Sequence, residues 1–111
     1  MYTQLASKLA VVDTASEASP AVPMAGANAF QVELTLFALT GSVSTLSVDT
    51  QGSNDLQNWT TFGSAYTMTA AGASAPTART AVAFQYVRLK YSSSGGTGSA
   101  ILAAGINTAD L

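Results

Sequence analysis

Apolar and polar residues alternate along much of this chain, a pattern that is typical of β-strands with one buried face. The alternation is clearest in residues 30–39. One face of this predicted strand carries Phe30, Val32, Leu34 and Leu36, and the other face carries Gln31, Glu33 and Thr35. Phe37 and Leu39 interrupt the polar side. We therefore expect this end of the strand to be covered on both faces by a loop, an arm or another subunit.

The next two segments are expected to pair as a hairpin. Residues 43–51 and 58–62 have strand composition, and the connection 52–55 reads Gly-Ser-Asn-Asp. Such a connection predicts a turn, because Asn and Asp side chains bond to nearby backbone amides and Gly accepts a positive φ. Gly63 is expected to end the second strand, and a further short strand is expected at residues 65–68.

The C-terminal part contains two more predicted strands. Residues 69–77 are small and flexible in composition, which predicts a loop. Strand composition returns in residues 81–91, and the Ser- and Gly-rich stretch 92–98 predicts an exposed hairpin tip. The last strand, residues 99–107, has many small side chains, so we expect it to lie centrally or at an interface.

The first 29 residues are expected to form a strand followed by an extended arm. The apolar run 9–12 favours a short edge strand, although a helix is an open alternative here. Pro20 and Pro23 then disfavour a helix or a central strand. We expect the arm, residues 14–29, to cross onto a neighbouring subunit. Its candidate assembly residues are Pro20, Val22, Pro23 and Met24.

These elements predict one all-β domain. A chain of 111 residues buries one sizeable core but not two. Seven or eight short strands, separated by Gly, Pro and Ser, favour an antiparallel β-sandwich or jelly roll. Within this single domain, residues 1–29 form the N-terminal strand and arm, and residues 30–111 form the β-sandwich.

Charge is scarce in this sequence. Charged residues make up 9% of the chain, against about 25% in typical soluble proteins, and the net charge is −2. Self-repulsion therefore offers little resistance to packing against copies or partners, which favours repeated association. A secreted module with a well-solvated, hydroxyl-rich surface is the open alternative. The four basic residues form no cluster able to neutralise several phosphates, so nucleic acid is not an expected partner.

The same composition gives no support for an enzyme, a metal or a cofactor. The chain has no Cys and no His, which removes thiolate chemistry, the commonest general base and ordinary zinc sites. The carboxylates are scattered, and an Asx turn explains Asn54 and Asp55 better than a calcium site does. No apolar run of about 20 residues is present, so no membrane span is expected. The first residues do not form a convincing signal peptide, and we expect synthesis in the cytoplasm.

Two short segments of the sequence resemble motifs of the discoidin or coagulation-factor type C modules. Residues 51–59 are similar to their S-N-D-G-x-x-W turn, with Leu56 in place of Gly, and residues 86–89 match Y-V-R-L. The similarity covers roughly residues 46–106. It implies a jelly roll in which Trp59 packs on the sandwich and fixes the hairpin. For Arg88 we expect a cross-strand partner such as Asp49 or Glu33. The structural candidates are Trp59, Asn54, Asp55, Tyr86, Arg88 and Leu89.

Two functions are compatible with this pattern. The chain also resembles, in its general style, small phage virion proteins that decorate or cement a protein shell. The first hypothesis is thus a non-enzymatic virion subunit, made in the host cytoplasm, whose partners are copies of itself and a larger shell. The alternative is an extracellular carbohydrate-binding or adhesion module with a glycan as partner. Its aromatic candidates are Trp59, Tyr66, Tyr86 and Tyr91.

Overall fold

Strands dominate the structure, a computed structural model that describes residues 1–12 and 16–111. The described residues form nine strands. Their bounds are β1 Tyr2–Val12, β2 Ser16–Ala18, β3 Val22–Pro23, β4 Ala29–Leu39, β5 Thr45–Ser53, β6 Thr60–Met68, β7 Gly72–Ser74, β8 Tyr86–Ser94 and β9 Ser99–Ala109.

The strands form two antiparallel sheets that pack as a sandwich. One sheet has the order β1-β9-β4-β7, and the other has the order β2-β8-β5-β6, with β3 also paired to β8. If β2 and β3 are taken as one interrupted strand, each sheet has four strands and the order is that of a jelly roll. The predicted all-β sandwich is confirmed, with nine strands rather than seven or eight.

The core lies between the two sheets and follows the predicted alternation. Phe30, Val32, Leu34 and Leu36 of β4 are each at most 2% exposed. The inner faces of the other strands contribute Val11, Leu46, Val48, Val87, Leu89, Tyr91, Leu102 and Ile106. Burial of each large apolar side chain stabilises the fold by about 1.5–3 kcal/mol. The two-residue period of the sequence thus defines the core.

Near the end of β4, Phe37 is exposed, whereas Leu39 packs partly against the core. The pairing of β4 with β9 shifts register between Leu36 and Ala38, and Phe37 at this shift is 45% exposed. The Lys8 amine lies 5.7 Å from the centre of the Phe37 ring. No other loop or arm of the described residues buries this ring, so the expected cover by another subunit stays a prediction.

Strands β6 and β7 each correct one prediction. Strand β6 runs without interruption from Thr60 to Met68, so the expectation that Gly63 ends a strand is wrong. Gly63 instead lies where the pairing of β5 with β6 changes register, and its φ of 72° is a conformation that Gly adopts without a steric penalty. The predicted loop 69–77 contains a short strand, β7, which pairs with residues 34–36 of β4.

The segment that precedes β8 is irregular. The strand predicted for residues 81–91 begins only at Tyr86, because the chain first has to cross from one sheet to the other. Arg79 exchanges two backbone hydrogen bonds with Phe30 of β4, at 2.8 and 3.0 Å. Phe84 packs on Phe62 of β6, with ring centres 5.2 Å apart. Strand β9 lies between β1 and β4. Of the two placements predicted for it, central or at an interface, the structure shows the central one.

The N-terminal residues also join the sandwich. Strand β1 is an edge strand of 11 residues, longer than predicted, and is not a helix. The predicted arm, residues 14–29, begins outside the described residues, but its described part follows β8 of the same chain through β2 and β3. Val22 and Met24 are buried in the chain's own core, whereas Pro20 and Pro23 are exposed.

Candidate functional site

The turn that joins β5 to β6 is organised by two polar side chains. Ser53 Oγ accepts hydrogen bonds from the backbone amides of Asp55 and Leu56, at 3.2 and 3.0 Å. Asp55 Oδ1 accepts from the amides of Asn58 and Gln57, at 2.8 and 2.9 Å, and its Oδ2 accepts from the Asn58 side chain at 2.7 Å. The carboxylate of Asp55 also accepts a hydrogen bond from the Ser53 hydroxyl. Together, the hydrogen bonds that this carboxylate accepts hold the pKa of Asp55 well below its usual range. The Asx-type role that the sequence predicts for Asn54 and Asp55 agrees with this geometry for Asp55 and is wrong for Asn54, which binds a distant amide.

Two further residues of the β5–β6 turn are Asn54, which connects the turn to β8, and Leu56, which has a strained backbone. Asn54 Oδ1 accepts a hydrogen bond from the backbone amide of Gln85 at 2.9 Å, next to the first residue of β8. Leu56 has a φ of 65°, in the left-handed region. Gly adopts this backbone conformation without a steric penalty, whereas the Leu side chain is strained in it.

Trp59 and Arg88 contact each other on the outer side of the β2-β8-β5-β6 sheet. The guanidinium carbon of Arg88 lies 4.1 Å from the centre of the Trp59 ring, which is partly buried. Arg88 Nε donates to Gln51 Oε1 at 2.8 Å. The prediction of Asp49 or Glu33 as its partner is wrong, because the register places Arg88 opposite Gln51, and Glu33 lies in the other sheet.

The other candidates on β8 divide between its two faces. Leu89 is completely buried in the core, and Tyr86 is partly buried on the outer side. Tyr91 is 1% exposed, and burial raises its pKa to about 12 against a small opposing effect of the Ser19 side chain. Its hydroxyl makes no hydrogen bond of standard geometry among the described residues. Tyr91 is therefore wrongly predicted as a stacking platform for a glycan.

Five apolar residues lie on the outer side of strands β1, β9 and β4, between polar residues such as Gln31, Glu33 and Thr35. Tyr2 and Val12 of β1 are 53% and 56% exposed, and Phe37 of β4 is 45% exposed. Strand β9 lies between them with the partly buried Ile101 and Ala103. We call these five residues the apolar outer face. The sequence indicated only the part of it near Phe37, because its members belong to three separate strands.

A cleft opens beside the edge strand β6. It has a volume of about 660 Å³ and lies between β6 and residues 77–84. Phe62, Tyr66 and Phe84 contribute aromatic walls, and Arg79 contributes a cation. Sequence reasoning missed this site. One feature of the sequence could have indicated it: Arg79 is the only charged residue between Asp55 and Arg88.

No protein-family model matches the chain, and a search of the curated proteins found no similar sequence. The resemblance to discoidin modules therefore stays a prediction. Among residues 1–12 and 16–111, no group of three or more Asp, Glu, His or Cys side chains is arranged to hold a metal ion. The same residues include no helix long and apolar enough to cross a membrane.

Proposed function

We propose that this chain is a non-enzymatic structural subunit of a virion. In this proposal it is a small capsid-associated protein, with a decoration, cement or coat role, and it is made in the cytoplasm of the host. Its partners are copies of itself and a larger protein shell. The observation that carries the proposal is the apolar outer face, formed by Tyr2, Val12, Phe37, Ile101 and Ala103.

An exposed apolar face of this kind favours contact with another protein. The register places Val12 opposite Ser99 and Ala38 opposite Ile101, so Val12, Phe37 and Ile101 lie toward one end of this face and Tyr2 toward the other. Exposed apolar residues that group together mark interaction surfaces. Ala103 contributes only a small side chain at the centre of the sheet, and the Tyr2 side chain lies over Gly105, where a Cβ atom would collide with its hydroxyl. Lys8 and Glu33 are the charged residues of β1 and β4, so little charge has to be desolvated when this face is covered.

The fold gives weaker support by analogy. Jelly rolls with two four-stranded sheets occur in viral capsid proteins and in lectins, and a fold alone does not define a function. The low charge of the chain favours the first of these two uses, because many copies have to pack closely in a shell.

The proposal is tested by the mass of the purified protein in solution. Light scattering coupled to size-exclusion chromatography, with electron microscopy of the same fractions, should show oligomers or particles rather than a monomer. Val12→Lys and Phe37→Lys each place a charge on the apolar outer face and should reduce the mass. Thr67→Lys is the matched control, because Thr67 is exposed on the other sheet. A wild-type monomer at every concentration would contradict the proposal, as would equal masses for all three folded variants.

A carbohydrate-binding or adhesion module, with an extracellular location, is the second candidate. The observation in its favour is that the rings of Trp59, Tyr66 and Tyr86 are only partly buried. A glycan array distinguishes the two proposals. Binding of a defined glycan that is lost in folded Trp59→Ala or Tyr66→Ala variants, by a protein that remains monomeric, would replace the virion proposal with this one.

A further inference from the structure

The cleft beside β6 has the size of a site for a small molecule. Its volume of about 660 Å³ is within the range of about 300–1,000 Å³ that is usual for ligand pockets. Its aromatic side chains form a connected group, since the Phe62 ring packs against Phe84 at 5.2 Å and edge-on against the buried Phe30 at 6.1 Å. This packing gives the cleft a firm apolar wall before any ligand arrives.

The structure fixes Arg79 within this wall. Its backbone pairs with Phe30, so the residue is attached to the opposite sheet. Its guanidinium carbon lies 4.6 Å from the centre of the Tyr66 ring, and Nη2 donates to the carbonyl of Ser64. A Cβ atom at Gly63 would collide with Nη1, so the Gly at this position provides the space that the guanidinium occupies. Arg79 is thus held in one orientation by β4 and β6 together.

The guanidinium keeps an unused capacity to bind an anion. An Arg side chain is always protonated and carries five N–H donors. The structure shows one side-chain hydrogen bond from Arg79, to Ser64, and the Tyr66 hydroxyl lies near its guanidinium. The Nε has no partner but is buried, so a ligand in the cleft would pair with the terminal nitrogens. None of the described residues that line the cleft is acidic. The cleft therefore combines a cation that lacks an acidic partner with an apolar wall.

We propose that the cleft binds a small organic carboxylate whose body is an apolar ring. The carboxylate would pair with the guanidinium of Arg79, where a charge-assisted hydrogen bond is strong because the surroundings are apolar. The ring would lie against Phe62 and Phe84. A dianionic phosphate fits less well, because the lining contains one basic residue and no second cation to share the charge. This site is separate from the apolar outer face, so it does not depend on the proposed assembly.

The test uses phenylacetate as the probe and phenylacetamide as its neutral counterpart. Saturation-transfer NMR observes the ligand and works whether the protein is monomeric or assembled. We expect saturable binding of phenylacetate, and binding of phenylacetamide weaker by at least about tenfold, the loss expected for one charge-assisted hydrogen bond. Arg79→Gln should weaken phenylacetate binding to the same extent and leave phenylacetamide unchanged.

Two further variants keep the result interpretable. Arg88→Gln is the matched control, because Arg88 also stacks on an aromatic ring but lies outside the cleft. It should bind phenylacetate like the wild type. Thr80→Glu adds a carboxylate to the lining without removing Arg79, and should weaken phenylacetate binding if Arg79→Gln does not fold. Equal binding of the two probes, no binding of phenylacetate, or equal losses in the Arg79 and Arg88 variants would overturn the proposal.

Discussion

The guanidinium of Arg88 stacks on the indole ring of Trp59, with 4.1 Å between the guanidinium carbon and the ring centre. The same side chain donates a hydrogen bond to Gln51 on the neighbouring strand β5. Arg88 therefore connects β8 to β5 and to the residue that precedes β6. Because Trp59 directly follows the turn at residues 53–58, the Arg88 side chain connects the end of this turn to the middle of the sheet.

The first prediction concerns the strength of this contact. Trp59→Leu and Arg88→Met should each destabilise the protein, and the double variant should lose less than the sum of the two. The expected coupling free energy is about 0.5–1 kcal/mol, the value for a cation–π pair near the surface. Urea unfolding of the four proteins measures it through a double-mutant cycle. Additive losses would show that Trp59 and Arg88 act independently.

The second prediction concerns Leu56, which has a φ of 65° and is 49% exposed. Leu56→Gly should raise the free energy of unfolding by up to about 1 kcal/mol. The strain of a side chain in the left-handed region, about 1–2 kcal/mol, exceeds the entropic cost of Gly, about 0.5–1 kcal/mol. Leu56→Ala is the control, because Ala keeps the strain and should not stabilise. Thermal unfolding of the three proteins is the measurement. A gain in Leu56→Gly alone indicates relief of backbone strain, and an equal gain in Leu56→Ala would indicate an effect of removing the Leu side chain.

The third prediction is a dependence of stability on pH that arises from Asp55. Its pKa is lowered in the folded state, so its contribution is complete above the ordinary pKa of Asp and is lost as the pH falls toward the folded value. Wild type should be more stable than Asp55→Asn at neutral pH, and the difference should shrink between about pH 5 and about pH 2. Asp110→Asn, outside the turn, controls for net charge. A difference that is constant over this range would contradict the prediction.

The sequence predicts those parts of the fold that depend on local periodicity. The two-residue period in β4 identified the four buried residues Phe30, Val32, Leu34 and Leu36 correctly, because alternation follows from strand geometry alone. Strand β7, with the sequence Gly-Ala-Ser, has no such period and forms because it can pair with β4. The continuation of β6 through Gly63 likewise depends on pairing with β5, which no local pattern contains.

The same division applies to the candidate sites. The role of Asp55 was predictable because its partners are within three residues of it in the chain. The partner of Arg88 was not, since it depends on the register of β8 against β5. The cleft was missed because Arg79 is positioned by Phe30 and Ser64, which are distant in sequence and lie in different sheets. Only the three-dimensional pairing brings these residues together.

The last prediction concerns the buried hydroxyl of Tyr91. No hydrogen bond of this group meets standard geometry among the described residues, although the Ser19 side chain lies beside it, and leaving a polar group buried and unpaired costs about 1–3 kcal/mol. Tyr91→Phe removes the hydroxyl and keeps the ring, so the free energy of unfolding in urea should rise by about 1 kcal/mol. Tyr66→Phe is the control. Its hydroxyl belongs to a less buried side chain in the cleft, and no gain is expected.

Alkaline unfolding gives a second measurement of the same group. Because burial raises the pKa of Tyr91 to about 12, the folded state keeps this phenol neutral at a pH where the unfolded chain ionises. The ionisation of this phenol does not affect the free energy of unfolding below the unfolded pKa of about 10, and it lowers that free energy as the pH rises toward the folded value. Wild type should therefore lose stability above about pH 10 more steeply than Tyr91→Phe does. Equal slopes would mean that the folded state does not keep this phenol neutral. A Tyr91→Phe variant less stable than wild type at neutral pH would mean that the hydroxyl has a partner in solution.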